Sequence, residues 1–195
     1  MNLSTCSFIG FSSGGPYALA CAIRLYSRVR GLALVSSDGE YANADVGVPV
    51  GSPMIYGGIS RDDIVINSRE LAKMNAVHLL DSYSGMKNEL RKKVAIADLQ
   101  EAVRNGYQGV ARDSVLETQR WDFDIPATLE FSTHIFHGTK DESVPFKVAE
   151  WLHRVLPNSE LHLAQDENHS MIRRRFEDVL SKLTLTNNKH DQHSL

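Results

Sequence analysis

Two cysteines in 195 residues, Cys6 and Cys21, leave no framework for a disulfide-stapled fold and no C-x-x-C spacing for zinc or redox chemistry. One falls in an apolar run and the other in a helical pattern, so a free buried pair is the expected state, which favours a reducing compartment. The longest apolar runs stop far short of the roughly 20 residues a membrane span needs. The first ten residues lack the basic stretch of a secretory signal. Charge is nearly balanced, 21 Lys and Arg against 24 Asp and Glu for a formal net charge of −3, so no basic field for nucleic acid exists. No internal repeat is visible. These absences point to a cytoplasmic protein without a membrane span or a nucleic-acid partner.

Metal ligands also lack a pattern. His134 and His137 stand three apart at the end of an apolar run, so in a strand they face opposite sides and cannot share an ion. His190 and His193 fall in the polar segment Thr186 to Leu195, which is poor in large apolar residues and is expected to be a disordered tail. No metal and no cofactor is expected.

What is present begins with Gly10-Phe11-Ser12-Ser13-Gly14-Gly15-Pro16. The apolar run before it, Cys6 to Gly10, predicts a short buried strand. After it, Pro16 suits a first helical turn, and Tyr17 to Tyr26 offers helix formers with an apolar stripe at Leu19, Ile23 and Tyr26. Gly31 to Val35 predicts a second strand, closed by Ser36, Ser37, Asp38 and Gly39. A serine held on a sharp strand-to-helix turn is a nucleophile elbow: the strained backbone lifts Oγ clear of the sheet, and glycines two residues either side let strand and helix pass.

In this the chain resembles the α/β-hydrolase superfamily, and the resemblance continues at the far end. Thr133 to Phe136 predicts a strand, and His137-Gly138-Thr139-Lys140-Asp141 after it is similar to the family's acid loop, with Asp141 at the position of the triad aspartate. A helix over Phe146 to Val155 and a last strand at Leu161 to Leu163 follow. Then Asp166-Glu167-Asn168-His169-Ser170 matches the loop that carries the family's histidine. The resemblance implies Ser12 as nucleophile, His169 as base and then acid, Asp141 as the carboxylate that orients His169, and the Ser13 N–H as one oxyanion donor. Glu142 and Asp38 are competing carboxylates. Asp38 also suits a plain turn before Gly39, and Asp141 a cap for the following helix.

Between Asp38 and Thr128 the pattern changes. Gly39 to Ser60 is loop-like, whereas Ser68 to Tyr83, Lys87 to Asn105 and Gln108 to Gln119 show helical periodicity without an obvious strand. Three helices there are similar to the cap the superfamily inserts between its sixth and seventh strands. The fold class is therefore α/β: the C-terminal part of an α/β-hydrolase parallel sheet with an inserted helical cap. The core takes residues 1–38 and 129–185, the cap 39–128, and the tail 186–195. Met54, Tyr56, Met74, His78 and Trp121 are the expected substrate-lining residues, although the same residue types at helical spacing also suit a cap core.

The function implied is a serine hydrolase acting on a small-molecule acyl substrate, an ester or related compound, through a Ser-His-Asp triad and an acyl-enzyme. Serine at the nucleophile position disfavours epoxide hydrolase and haloalkane dehalogenase chemistry, which the family performs with aspartate. A usual member places several strands and a helix before its elbow, with a loop that donates the second oxyanion N–H, and no H-G-G-G-like segment occurs here. The alternative is thus a non-catalytic remnant that binds a ligand or partner. Self-association through the exposed edge of the elbow strand is expected with it.

Overall fold

The computed structural model describes residues 4–46, 88–106 and 108–190. The chain divides into two compact units, one of residues 1–49 and 121–195, the other of residues 50–120. The second unit contains helices α2 (Glu89–Ala102) and α3 (Gln108–Thr118), each inside a stretch of predicted helical periodicity. The stretch Ser68 to Tyr83 and most of the predicted loop Gly39 to Ser60 lie outside the described residues.

The first unit is built on a four-stranded parallel sheet in the order β1-β2-β3-β4, formed by Cys6–Phe11, Val29–Val35, Ser132–Gly138 and Ser159–Ala164. Parallel neighbours require crossovers, and helices provide them: α1 (Gly14–Arg24) links β1 to β2, and α4 (Phe146–Val155) links β3 to β4. A last helix, α5 (Ile172–His190), follows β4 after a short 3₁₀ turn over His169–Met171.

Strand alternation sorts the core onto two faces. Ala33, Val35 and Phe136 pack with Met171, Val179 and Leu183, so α5 covers that face of β2 and β3. On the opposite face α1 lies on β1, where a Cβ at Gly10 would come within 2.8 Å of the Ala18 methyl, and Leu32 and Leu34 are fully buried. The register, Leu34 beside Ile135 and Ala33 beside His134, carries the same alternation across the sheet. Strands covered on both sides explain why Gly31 to Val35 is a continuous apolar run.

Three expectations need correction. The buried face of α1 is Gly15, Ala18, Leu19 and Ala22, which turns Cys21 outward, while Cys6 is only partly buried, so the cysteines are free but are not a buried pair. Tyr26 does not extend the α1 stripe, because the helix ends at Arg24 and Tyr26 opens an exposed 3₁₀ turn. The helix α5 also continues to His190, five residues into the expected tail. Residues 191–195 lie outside the described residues. No helix among the described residues is long and apolar enough to cross a membrane.

Candidate active site

Backbone hydrogen bonds fix the serine turn. Ser12 sits between β1 and α1 with φ 53°, a left-handed conformation that costs a non-glycine residue roughly 1–3 kcal/mol. Three hydrogen bonds hold it there: the Ser12 N–H donates to the Val35 carbonyl at 3.1 Å, and the Ser12 carbonyl accepts from Gly15 N–H at 2.9 Å and Asp38 N–H at 3.2 Å. The glycines are not equivalent. A Cβ at Gly10 would lie 2.6 Å from the Gly15 Cα, and one at Gly15 would lie 1.8 Å from the Ser37 Oγ. A Cβ at Gly14 would meet nothing within 4 Å among the described residues. The close passage therefore depends on Gly10 and Gly15, which corrects the expected role of the second motif glycine.

Asp141 follows β3 in a tight turn closed by its own N–H on the Gly138 carbonyl at 3.1 Å. Its Oδ1 accepts the backbone N–H groups of Ser143 and Val144, both at 2.9 Å, and the side chain has no exposed surface. Burial alone would raise this carboxyl. The hydrogen bonds from His169 and from the Val144 N–H, with the charge attraction of His169, hold it below the usual carboxylate range instead. Buried His137 donates its Nε2–H to the Val144 carbonyl at 3.1 Å and fixes the far side of the same loop.

The His169 loop lies directly on the acid loop. A Cβ at Gly138 would sit 2.3 Å from the Glu167 carbonyl oxygen, so only glycine permits that contact. The Lys140 N–H donates to the same carbonyl at 2.8 Å. Asn168 caps the 3₁₀ turn through its side chain, and an ion pair of Glu167 with Arg174 ties the loop to the first turn of α5.

These three loops bring Ser12, His169 and Asp141 together. The His169 Nε2 is 3.1 Å from Ser12 Oγ, and its Nδ1 is 3.0 Å from Asp141 Oδ2 and 3.2 Å from Oδ1. The Phe11 ring lies against the imidazole with centroids 5.1 Å apart. A hydroxyl, an imidazole and a buried carboxylate in this order can move a proton from oxygen to nitrogen while the carboxylate stabilises the cation formed. A cavity of about 410 Å³ lined by Lys140, Ser143 and Asn168 opens beside His169.

Of the competing carboxylates Asp38 lies beside the site, its N–H on the Ser12 carbonyl and its carboxyl within reach of the charges of His169 and Asp141, but the carboxylate bonded to His169 is that of Asp141. Asp38 is buried and accepts a hydrogen bond from the Tyr41 hydroxyl. Burial, outweighing that bond, pushes its carboxyl above the ordinary range. Glu142 is exposed, and His162 is in β4 beside His134. Ser13 is the N-cap of α1, where backbone N–H groups have no intrahelical acceptor. Trp121 stacks on Phe123 at 5.0 Å and meets Trp151 edge-on at 5.5 Å, and its backbone N–H donates to Glu40. Met54, Tyr56, Met74 and His78 lie outside the described residues. Phe11, His137 and Tyr41 are not among the site residues expected from the sequence, although Phe11 and His137 stand inside the two motifs.

The chain matches no protein-family model and no curated protein. It is similar to solved structures. A meta-cleavage product hydrolase from Pseudomonas fluorescens aligns over 96% of this chain and 66% of its own, with 19% identity and a TM-score of 0.59. An esterase from Exiguobacterium antarcticum aligns over 92% of this chain and 65% of its own, with 21% identity and a TM-score of 0.59. A 2-hydroxy-6-oxo-6-phenylhexa-2,4-dienoate hydrolase from Rhodococcus gives 95%, 65%, 21% and 0.60 for the same quantities. The fold is that of the α/β-hydrolases, and the chain spans slightly less than two thirds of the length of these structures.

Proposed function

We propose that this chain is the catalytic part of a serine hydrolase that cleaves an ester or related acyl bond. The observation that carries the reading is the unbroken relay from Ser12 Oγ to His169 Nε2 at 3.1 Å and from His169 Nδ1 to Asp141 Oδ2 at 3.0 Å. In this reading Ser12 Oγ attacks the acyl carbon as His169 Nε2 takes its proton. The tetrahedral oxyanion is stabilised by the Ser13 N–H at the head of α1. Collapse expels the leaving alkoxide with the proton from His169, and water, activated by the same imidazole, releases the acid.

Ester cleavage asks least of such a site, since an alkoxide departs with the single proton that the imidazole has just accepted. The similar structures include an esterase and a meta-cleavage product hydrolase, which supports hydrolysis of a small acyl compound. The unit of residues 50–120, which holds Met54, Tyr56, Met74 and His78, is assigned the role of a substrate-recognising cap. Trp121, packed between aromatic rings, is assigned to core packing instead.

A second reading rests on β1. Among the described residues it stands at one edge of the four-stranded sheet, where a strand can offer a row of backbone donors and acceptors to another chain, as a binding protein without turnover would. Labelling with a fluorophosphonate separates the two. The hydrolase reading expects one covalent adduct per chain, lost in Ser12→Ala and kept in Ser13→Ala, because Ser13 acts through its backbone. Absence of labelling, or equal labelling of wild type and Ser12→Ala, defeats it.

A further inference from the structure

We propose that His134, Glu160 and His162 form a binding site for a divalent transition-metal ion of the zinc class, bridging β3 and β4. The pairing register builds the cluster. His134 of β3 lies beside Glu160 of β4, and Phe136 beside His162, so side-chain alternation places all three on one face of the sheet, the face covered by α5. The sequence excludes a shared ion for His134 and His137 within one strand. The partner that the register supplies is His162 of the neighbouring strand.

The spacing suits a small dication. His134 Nδ1 is 3.1 Å from His162 Nε2 and 3.5 Å from Glu160 Oε2, and one ligand atom from each residue falls within 4.8 Å of the others. Bonds of about 2.0–2.1 Å in tetrahedral geometry separate ligand atoms by roughly 3.3–3.4 Å, so small side-chain shifts complete the coordination. Two imidazole nitrogens and one carboxylate select zinc-like ions over magnesium or calcium, which prefer oxygen ligands.

The protonation chemistry points the same way. His134 is 5% exposed, and among the described residues its Nε2 has no hydrogen-bond partner, whereas its Nδ1 aims into the cluster. Facing nitrogens on His134 and His162 can hold only a single proton between them, and an ion would replace it.

Among the described residues Glu160 pairs with Lys182 of α5, whose Nζ is 3.5 Å from Glu160 Oε1. The side chains are 41% and 57% exposed, so the ion pair with which an entering ion competes is a weak one. A cavity of about 450 Å³ that reaches His162, Lys182 and Asp178 gives the ion its approach and leaves room for a water as fourth ligand.

The test is titration of the full chain with Co²⁺, read by its visible ligand-field bands, and with Zn²⁺, read by calorimetry. The expected result is one tight ion per chain, with Zn²⁺ displacing Co²⁺ and raising the melting temperature. His162→Gln should abolish the site, Glu160→Gln should weaken it by about tenfold or more, and Lys182→Gln should tighten it by removing the competing cation. Far-UV circular dichroism verifies that each variant is folded, and His134 is left untouched because it is in the core. Failure to bind, or equal binding in wild type and His162→Gln, as an ion held at His190 or His193 would give, overturns the proposal. So does weaker binding by Lys182→Gln.

Discussion

Gly15 and Ser37 approach so closely that a methyl group on Gly15 would fall 1.8 Å from the Ser37 hydroxyl oxygen. The helix behind the nucleophile therefore rests on the turn that closes β2 with the small Ser37 side chain packed against the bare Gly15 backbone.

That contact predicts an inverted response to substitution in the motif. Gly15→Ala should destabilise the fold by about 2 kcal/mol or more through overpacking. Gly14→Ala, facing open space in the first turn of α1, should be neutral or stabilising by up to about 1 kcal/mol. Urea unfolding of both variants checks this, and a larger loss in Gly14→Ala would contradict it.

The assignment of the acid predicts an order of damage. Asp141→Asn should lower ester turnover by roughly 1000-fold or more, since the imidazole loses the carboxylate that fixes its tautomer. Asp38→Asn, whose carboxyl is bound to Tyr41, should lower it far less, and exposed Glu142→Gln should change little. Steady-state rates on a short-chain ester rank the three. Asp38→Asn as the most damaging would move the acid to the other loop.

The two buried aspartates should act on stability with opposite sign. Asp141 is held below its ordinary value of 3.8, so its contribution is complete above that pH and is lost as pH falls through the folded value. Asp38 is raised above 3.8 by burial, so its contribution is greatest in acid and is lost as pH rises through the folded value. Unfolding free energies from acid to neutral pH should show a flatter acid limb in Asp141→Asn. Asp38→Asn should gain stability relative to wild type as neutrality is approached.

Tyr41→Phe removes the hydroxyl whose hydrogen bond Asp38 Oδ1 accepts and should cost about 1–3 kcal/mol, the loss of a hydrogen bond to a buried carboxyl. In the Asp38→Asn background the loss should be smaller. A double-mutant cycle in urea measures the difference, and strict additivity would show that the pair does not interact.

The meeting of Ser12, Asp141 and His169 was legible because each follows a strand of the sheet, in a motif whose spacing reflects a loop geometry. The helix over Phe146 to Val155 was legible to the residue, since Pro145 marks its start. What stayed hidden depends on registry between segments. Gly14 and Gly15 differ only in which one faces Ser37, and that is set by the rotation of α1 on the sheet. Cys21 points outward for the same reason. The meeting of His134 with Glu160 and His162 needs the β3–β4 alignment, which no pattern within either strand records.

The amides of Ser12 and Asp38 share a fate. One donates to Val35, the other to the Ser12 carbonyl, and neither bond survives if the elbow leaves its left-handed conformation. Their hydrogen–deuterium exchange is therefore a clock on the turn itself, reporting how often the chain relaxes out of its strained shape without any substrate present. Synchronous exchange of these two amides, slower than that of the exposed 3₁₀ turn at Tyr26–Arg28, would mean that the serine waits in place.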